Sequence, residues 1–158
     1  MGIGFQCRPP VGCTMGFFAR RISDTEWLDE VSHLYQAALP ATTALSRAAN
    51  VGSTDDKFGA LQAALQQLPV IAARIKAVPS PTSAEACQAK KSLELALKCY
   101  ARGARQGAGL FQNAGALGEC LDLAGWAERM SHETEFELFV TRGDKNMAKA
   151  GVFFSIRR

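Results

Sequence analysis

Three times between residues 23 and 104 the apolar side chains recur every three or four positions, and each run is bounded by residues that start or stop a helix. Ser23-Asp24-Thr25-Glu26 is a capping box. Its serine hydroxyl can accept the third amide proton of the helix while the glutamate reaches back to the cap amide. Leu28, Val31, Tyr35, Ala38, Thr42, Leu45 and Ala49 then share one face, and Gly52 ends the run. A second run starts at Thr54 or Asp55 and turns Phe58, Leu61, Leu65, Leu68, Ala72 and Ile75 inward. Pro79-Ser80-Pro81 stops it, since proline lacks an amide donor and disfavours helix at the preceding residue. Thr82-Ser83-Ala84-Glu85 is a second capping box, followed by Ala86, Leu93, Leu97, Tyr100 and Ala104. The spacing predicts helices over 24–49, 55–77 and 83–108.

Beyond Gly103 the pattern loosens. Gly103, Gly107, Gly109, Gly115 and Gly118 each cost a helix about 1 kcal/mol relative to alanine. The third helix is expected to end within 107–113, and a fourth to run over 114–132 through Leu117, Leu121, Ala124 and Met130. Residues 134–140 alternate as a strand does, yet Phe136 with Phe139 or Val140 also fits a helix. With Arg142-Gly143-Asp144 as a turn, Asp144 would cap a short final helix that points Met147, Ala150 or Gly151, and Phe154 inward. The competing arrangement is a C-terminal β-hairpin over 134–156.

The expected fold is thus all-α, an antiparallel bundle of four main helices with a short C-terminal helix; the alternative is α+β with that hairpin. The expected core is Trp27, Val31, Leu34, Leu45, Phe58, Leu61, Leu65, Leu68, Ile75, Leu93, Leu97, Tyr100, Leu117 and Leu121. The 158 residues suit one domain, 23–158, preceded by an irregular leader over 1–22 that holds Pro9-Pro10 and no helical period.

The net charge of +3 resides in that leader, which carries Arg8, Arg20 and Arg21 and no acid, so the body sums to zero. A nucleic-acid binder needs a concentrated basic face, and none is expected from this balance. Charge is nevertheless blocked along the chain. Residues 82–112 hold five basic and two acidic side chains, 113–141 one and six, and 142–158 five and one. Antiparallel neighbours of opposite sign would pair along their edges. The five cysteines are an odd count in a chain large enough to fold without staples, which favours a reducing, cytoplasmic setting. No run is apolar and long enough to span a bilayer.

Motifs that carry chemistry are sparse. Glu30-Val31-Ser32-His33 has the E-x-x-H spacing of helical di-metal sites, but His132 is the only other histidine and lacks the matching glutamate. No metal and no cofactor is expected, and no catalytic residue is assigned. Cys87, Cys99 and Cys120 lie in helical patterns with no histidine in local reach, as structural thiols do. Cys7 and Cys13 have no partner pair for zinc. Gly103 to Gly107 follows no strand and precedes no Lys-Ser/Thr, which argues against a phosphate loop.

The prolines point to one candidate site. Pro40 and Pro69 fall inside the first two helices, where each removes a hydrogen bond to the carbonyl four residues back, those of Gln36 and Leu65. Two kinks at nearly one level would splay the pair and open a pocket lined by Tyr35, Gln36, Leu39, Pro40, Leu65, Pro69 and Ile71, with Thr43 and Gln66 able to satisfy the freed carbonyls. The leading functional expectation is a non-catalytic interaction module that self-associates or meets a protein partner. A small-molecule or lipid-binding bundle using the kinked pair is second, and a metal-dependent enzyme third.

Overall fold

The computed structural model describes residues 20–50, 54–112 and 123–156. Four helices account for nearly all of them: α1 (Asp24–Asn50), α2 (Thr54–Ala77), α3 (Ala84–Gln112) and α4 (Leu123–Ile156). Contacts join α1 to α2, α2 to α3, α3 to α4 and α4 back to α1, with α3 and α4 sharing the most extensive one. The expected all-α bundle is what forms. Two-residue strands, β1 (Arg21–Ile22) and β2 (Ser80–Pro81), pair in parallel just before α1 and α3. Cys7, Cys13, Gly52, Gly115, Leu117, Gly118, Cys120 and Leu121 lie outside the described residues.

The first capping box forms as the sequence implies. Ser23 Oγ accepts the Glu26 amide at 3.2 Å, and the Ser23 amide donates to Glu26 Oε2 at 2.8 Å. That amide bond, with the serine hydroxyl behind it, holds the Glu26 carboxyl below its ordinary pKa. The second box is shifted by one residue. Ser83, not Thr82, caps α3, its Oγ taking the Ala86 amide at 3.1 Å. Asp24 occupies the role that would have fallen to Glu85: its Oδ1 accepts the Ser83 amide at 3.0 Å and the Thr82 hydroxyl at 3.3 Å. One carboxylate therefore sits where the positive ends of two helices meet. At the other side of the connection Lys90 of α3 donates to the Val78 carbonyl, just past the end of α2.

The larger correction concerns residues 134–156. They form neither a hairpin nor a separate short helix, but the second half of the continuous α4. Phe136, Val140, Met147, Ala150 and Phe154 are buried at steps of three, four and seven, one inward face of a single helix. Arg142-Gly143-Asp144 is helix interior rather than a turn. Gly143 is there for close approach: a Cβ built on it would stand 2.8 Å from Tyr100 Cε1, against the flat of the ring. Gly107 does the same for α3, where an added Cβ would lie 2.6 Å from Leu61 Cδ2 and 3.1 Å from Phe136 Cδ2. Gly103, Gly107 and Gly109, which obscure the helical signal, lie at the α3–α4 contact, as does Gly143.

Of the expected core, Trp27, Val31, Leu34, Leu45, Leu61, Leu68, Ile75, Leu93, Leu97 and Tyr100 are buried, and Leu65 packs against them half-buried. Phe58 is 54% exposed and does not belong to it. It lies one turn from the start of α2, on the rim of the apolar stripe. At one end of the bundle Trp27 stacks on Phe154, with centroids 5.7 Å apart, and meets Phe153 edge-on at 5.8 Å. Among the described residues Trp27 Nε1 is the buried side-chain nitrogen without a hydrogen-bond acceptor.

The glycine argument is testable by a matched pair. Gly143→Ala should destabilise by about 1–3 kcal/mol, because overpacking against a buried ring outweighs the gain of roughly 1 kcal/mol in helix propensity. Gly59 on α2 has nothing within 4 Å of the point where a Cβ would stand, and should instead gain about 0.5–1 kcal/mol on replacement by alanine. Denaturant melts of the two variants check this directly, and Gly143→Ala matching Gly59→Ala would remove the packing role.

Candidate functional site

Three places gather polar groups: a three-helix polar contact, a cleft between α1 and α4, and the outer face of α3 and α4. The polar contact is built on Asp144. Its Oδ1 accepts the Tyr100 hydroxyl from α3 at 2.6 Å and the Ser46 hydroxyl from α1. Burial, and then this bond to a carboxylate, push the Tyr100 phenol well above its ordinary pKa of 10.0. Hydroxyls from α1 and α3 thus meet one carboxylate of α4, which fixes the three helices in register. Asp144 is thus a tertiary acceptor and not the cap of a final helix. The sequence does not reveal this, because its partners lie 98 and 44 residues away.

The α1–α4 cleft holds about 290 Å³ and is lined by Leu28, Asp29, Ser32, His33, Tyr35, Gln36 and Phe154. Tyr35 stacks on Phe154 with centroids 4.5 Å apart. Two of the residues assigned to the proline pocket, Tyr35 and Gln36, therefore do line a cleft, but it faces α4 rather than α2. Leu39, Pro40, Leu65, Pro69 and Ile71 line neither this cleft nor the groove described below. Leu65 and Ile71 belong to the core, whereas Pro40 and Pro69 are exposed. Both prolines interrupt continuous helices on their outer sides. There water can meet a freed carbonyl, and a bend away from proline wraps the helix around the core. Thr43 and Gln66 are likewise exposed. The hydroxyl beside Pro40 that turns inward is that of Thr42, which donates to the carbonyls of Ala38 and Leu39, each at 3.1 Å.

His33 lies in the α1–α4 cleft and Glu30 is exposed beside it. His132 sits on α4 with Nδ1 3.0 Å from Gln106 Oε1. Among the described residues no three His, Cys, Asp or Glu side chains gather as metal ligands do. Cys87 and Cys99 are free thiols, both half-buried, and Cys87 Sγ lies 3.3 Å from the Pro81 carbonyl.

The third place extends over the whole outer side of the α3–α4 pair. Lys91, Lys98, Arg102 and Arg105 are exposed at steps of seven, four and three, one stripe of α3. Arg142, Lys145 and Lys149 make a matching stripe on α4. The glycine contacts set the register: Gly109 opposes His132, Gly107 opposes Phe136, Gly103 opposes Phe139 and Val140, and Gly143 opposes Tyr100. Continued along the antiparallel pair, this brings Lys98 level with Lys145. Arg102 and Arg142 converge on Phe139, their guanidinium carbons 4.6 and 6.0 Å from its centroid. None of the seven cations makes an ion pair among the described residues, where Lys57 bonds Glu133 and Lys90 bonds Glu94. At the end of this face a groove of about 570 Å³ opens between Gln88, Ala89 and Ser92 of α3 and Lys149, Val152, Phe153 and Ile156 of α4.

Two outcomes follow. The Tyr100 phenol stays neutral in the fold while it ionises near pH 10 in the unfolded chain, so its contribution is whole below pH 10 and lost as the pH rises above it. Tyr100→Phe should be less stable than wild type by about 0.5–1.5 kcal/mol at pH 7. That gap should narrow above about pH 10, as chemical melts across pH 7–11 will show. Pro40→Ala restores a backbone hydrogen bond on an exposed face and should raise the melting temperature; a fall would mean that the bend itself is needed for packing. Comparison with known protein families, with curated proteins and with solved structures finds no match to this chain.

Proposed function

We propose that this protein is a non-catalytic interaction module whose docking surface is the outer face of α3 and α4. The observation that carries the reading is the state of that face. Seven exposed cations, without ion pairs among the described residues, surround exposed Leu95, Leu138, Val152 and Ile156. Aliphatic side chains interleaved with unpaired charge are what a recognition surface presents, since burial supplies affinity and charge selects the partner. The expected self-association fits this face poorly. A symmetric pair would set each cation band against its own copy, and like charges brought together oppose assembly. A partner of different chemistry is favoured.

A small-molecule binder is the second reading, and the α1–α4 cleft supports it with Tyr35, Gln36 and His33 beside an aromatic wall. Its volume of about 290 Å³ falls at the lower edge of the roughly 300–1,000 Å³ usual for ligand pockets. The larger surface therefore leads.

Photo-crosslinking in cells separates the readings. A crosslinkable residue placed at Leu95 or Val152 should give discrete higher-mass adducts. The same residue at Val70, which is 60% exposed on α2, should not. Adducts of equal yield at Val70, or none at Leu95 and Val152, would overturn the assignment of the surface.

A further inference from the structure

We infer that the occupant of this face is an acidic amphipathic helix of a partner protein, with apolar side chains in the groove and carboxylates on the cation band. The inference deepens the interaction-module reading and rests on it.

Charge is the first argument. Acids are few on the band: Glu94 stands between Lys91 and Lys98 and is bonded to Lys90, Glu85 lines the groove, Glu135 lies seven residues before Arg142, and Asp144 turns in to Tyr100. The band thus carries four cations to one acid over Lys91–Arg105, fourteen residues of rise or about 21 Å. That length matches a partner helix of four turns. Arg102 and Arg142 are already held against Phe139, so less rotamer freedom is lost when they meet a carboxylate.

Shape is the second. Val152 is 58% exposed and Ile156 75%, and they border a concave space over Phe153, while Leu95, 48% exposed, lies one turn beyond Ser92 on α3. A space of about 570 Å³ is too large for one side chain and suits the ridge of apolar residues that a helix presents at steps of three and four. The same features disfavour the other polyanions. Single-stranded nucleic acid is held by cationic faces that also offer free aromatic rings for stacking, and here the Phe139 ring carries Arg102. An anionic lipid surface is flat and leaves a groove unfilled.

The test uses the full chain and a fluorescent peptide of about 18 residues, roughly 27 Å as a helix. The peptide carries leucine at every third or fourth position, glutamate on both flanks and alanine elsewhere. By fluorescence anisotropy it should bind the wild-type protein. Its glutamine-for-glutamate version should bind about tenfold more weakly or less, and so should the original peptide to Lys98→Glu/Arg102→Glu. Val152→Asp should weaken binding, while Val70→Asp should not. Raising salt from about 0.15 M to about 1 M, which shortens the screening length from about 8 Å to about 3 Å, should weaken it further. Equal binding of the two peptides, or no binding of either, overturns the inference. So does tighter binding of phosphatidylserine vesicles or of a thymidine oligonucleotide than of the acidic peptide. If crosslinks still form at Leu95 and Val152 in that event, only the acidic helix falls; if they fail as well, the surface falls with it.

Discussion

The close approach of α3 and α4 is the constraint on which the rest of the bundle depends. Two helices ordinarily pack with axes 8–10 Å apart, and side-chain size at the contact decides where in that range they sit. Gly103, Gly107 and Gly143 remove the side chains that would hold this pair open, and Tyr100 and Phe136 lie flat in the space made available. With the interior filled by ring and backbone, no room is left for long polar side chains between the helices. Lysine and arginine on both must turn outward. The cation band is thus a product of the packing as much as of the composition.

The first three helices were legible because their ends carry chemistry of their own. Ser23 with Glu26, and Pro79 with Pro81, act within a few residues and need no tertiary partner. The fourth was not, because its signals are tertiary. Gly143 reads as a turn residue until Tyr100, 43 positions earlier, is seen to need the space. The alternation over 134–140 is a helix with two inward positions, Phe136 and Val140, and a third, Phe139, turned to the arginines. The one-residue shift of the second cap has the same origin. Thr82 and Glu85 satisfy the local pattern, but Asp24 is the better acceptor once α1 is alongside.

The candidate surface was hidden by a similar distance. Its seven cations are scattered between residues 91 and 149, and the acidic block 113–141 separates the two groups that compose them. Antiparallel register is what collects them. The prolines are a different case: both lie inside a helix, and the apolar run Ala38, Thr42, Leu45 puts Pro40 on the opposite side of α1. Pro40 and Pro69 themselves are exposed, on the sides of their helices that solvent can reach.

The carboxylate of Asp24 has a consequence for the order in which the molecule can be made. The cap of α1 is complete within four residues, so that helix can start without help from the rest of the chain. The cap of α3 is not: the Ser83 amide finds its acceptor 59 residues upstream. During synthesis from the N-terminus, α1 leaves the ribosome first and carries that acceptor with it. When Ser83 emerges, the α1–α2 hairpin can already present the carboxylate, and α3 begins on a template rather than by costly nucleation alone. The long-range bond can then close before α4 is made, and the α3–α4 pair is laid onto a half-bundle that is already standing.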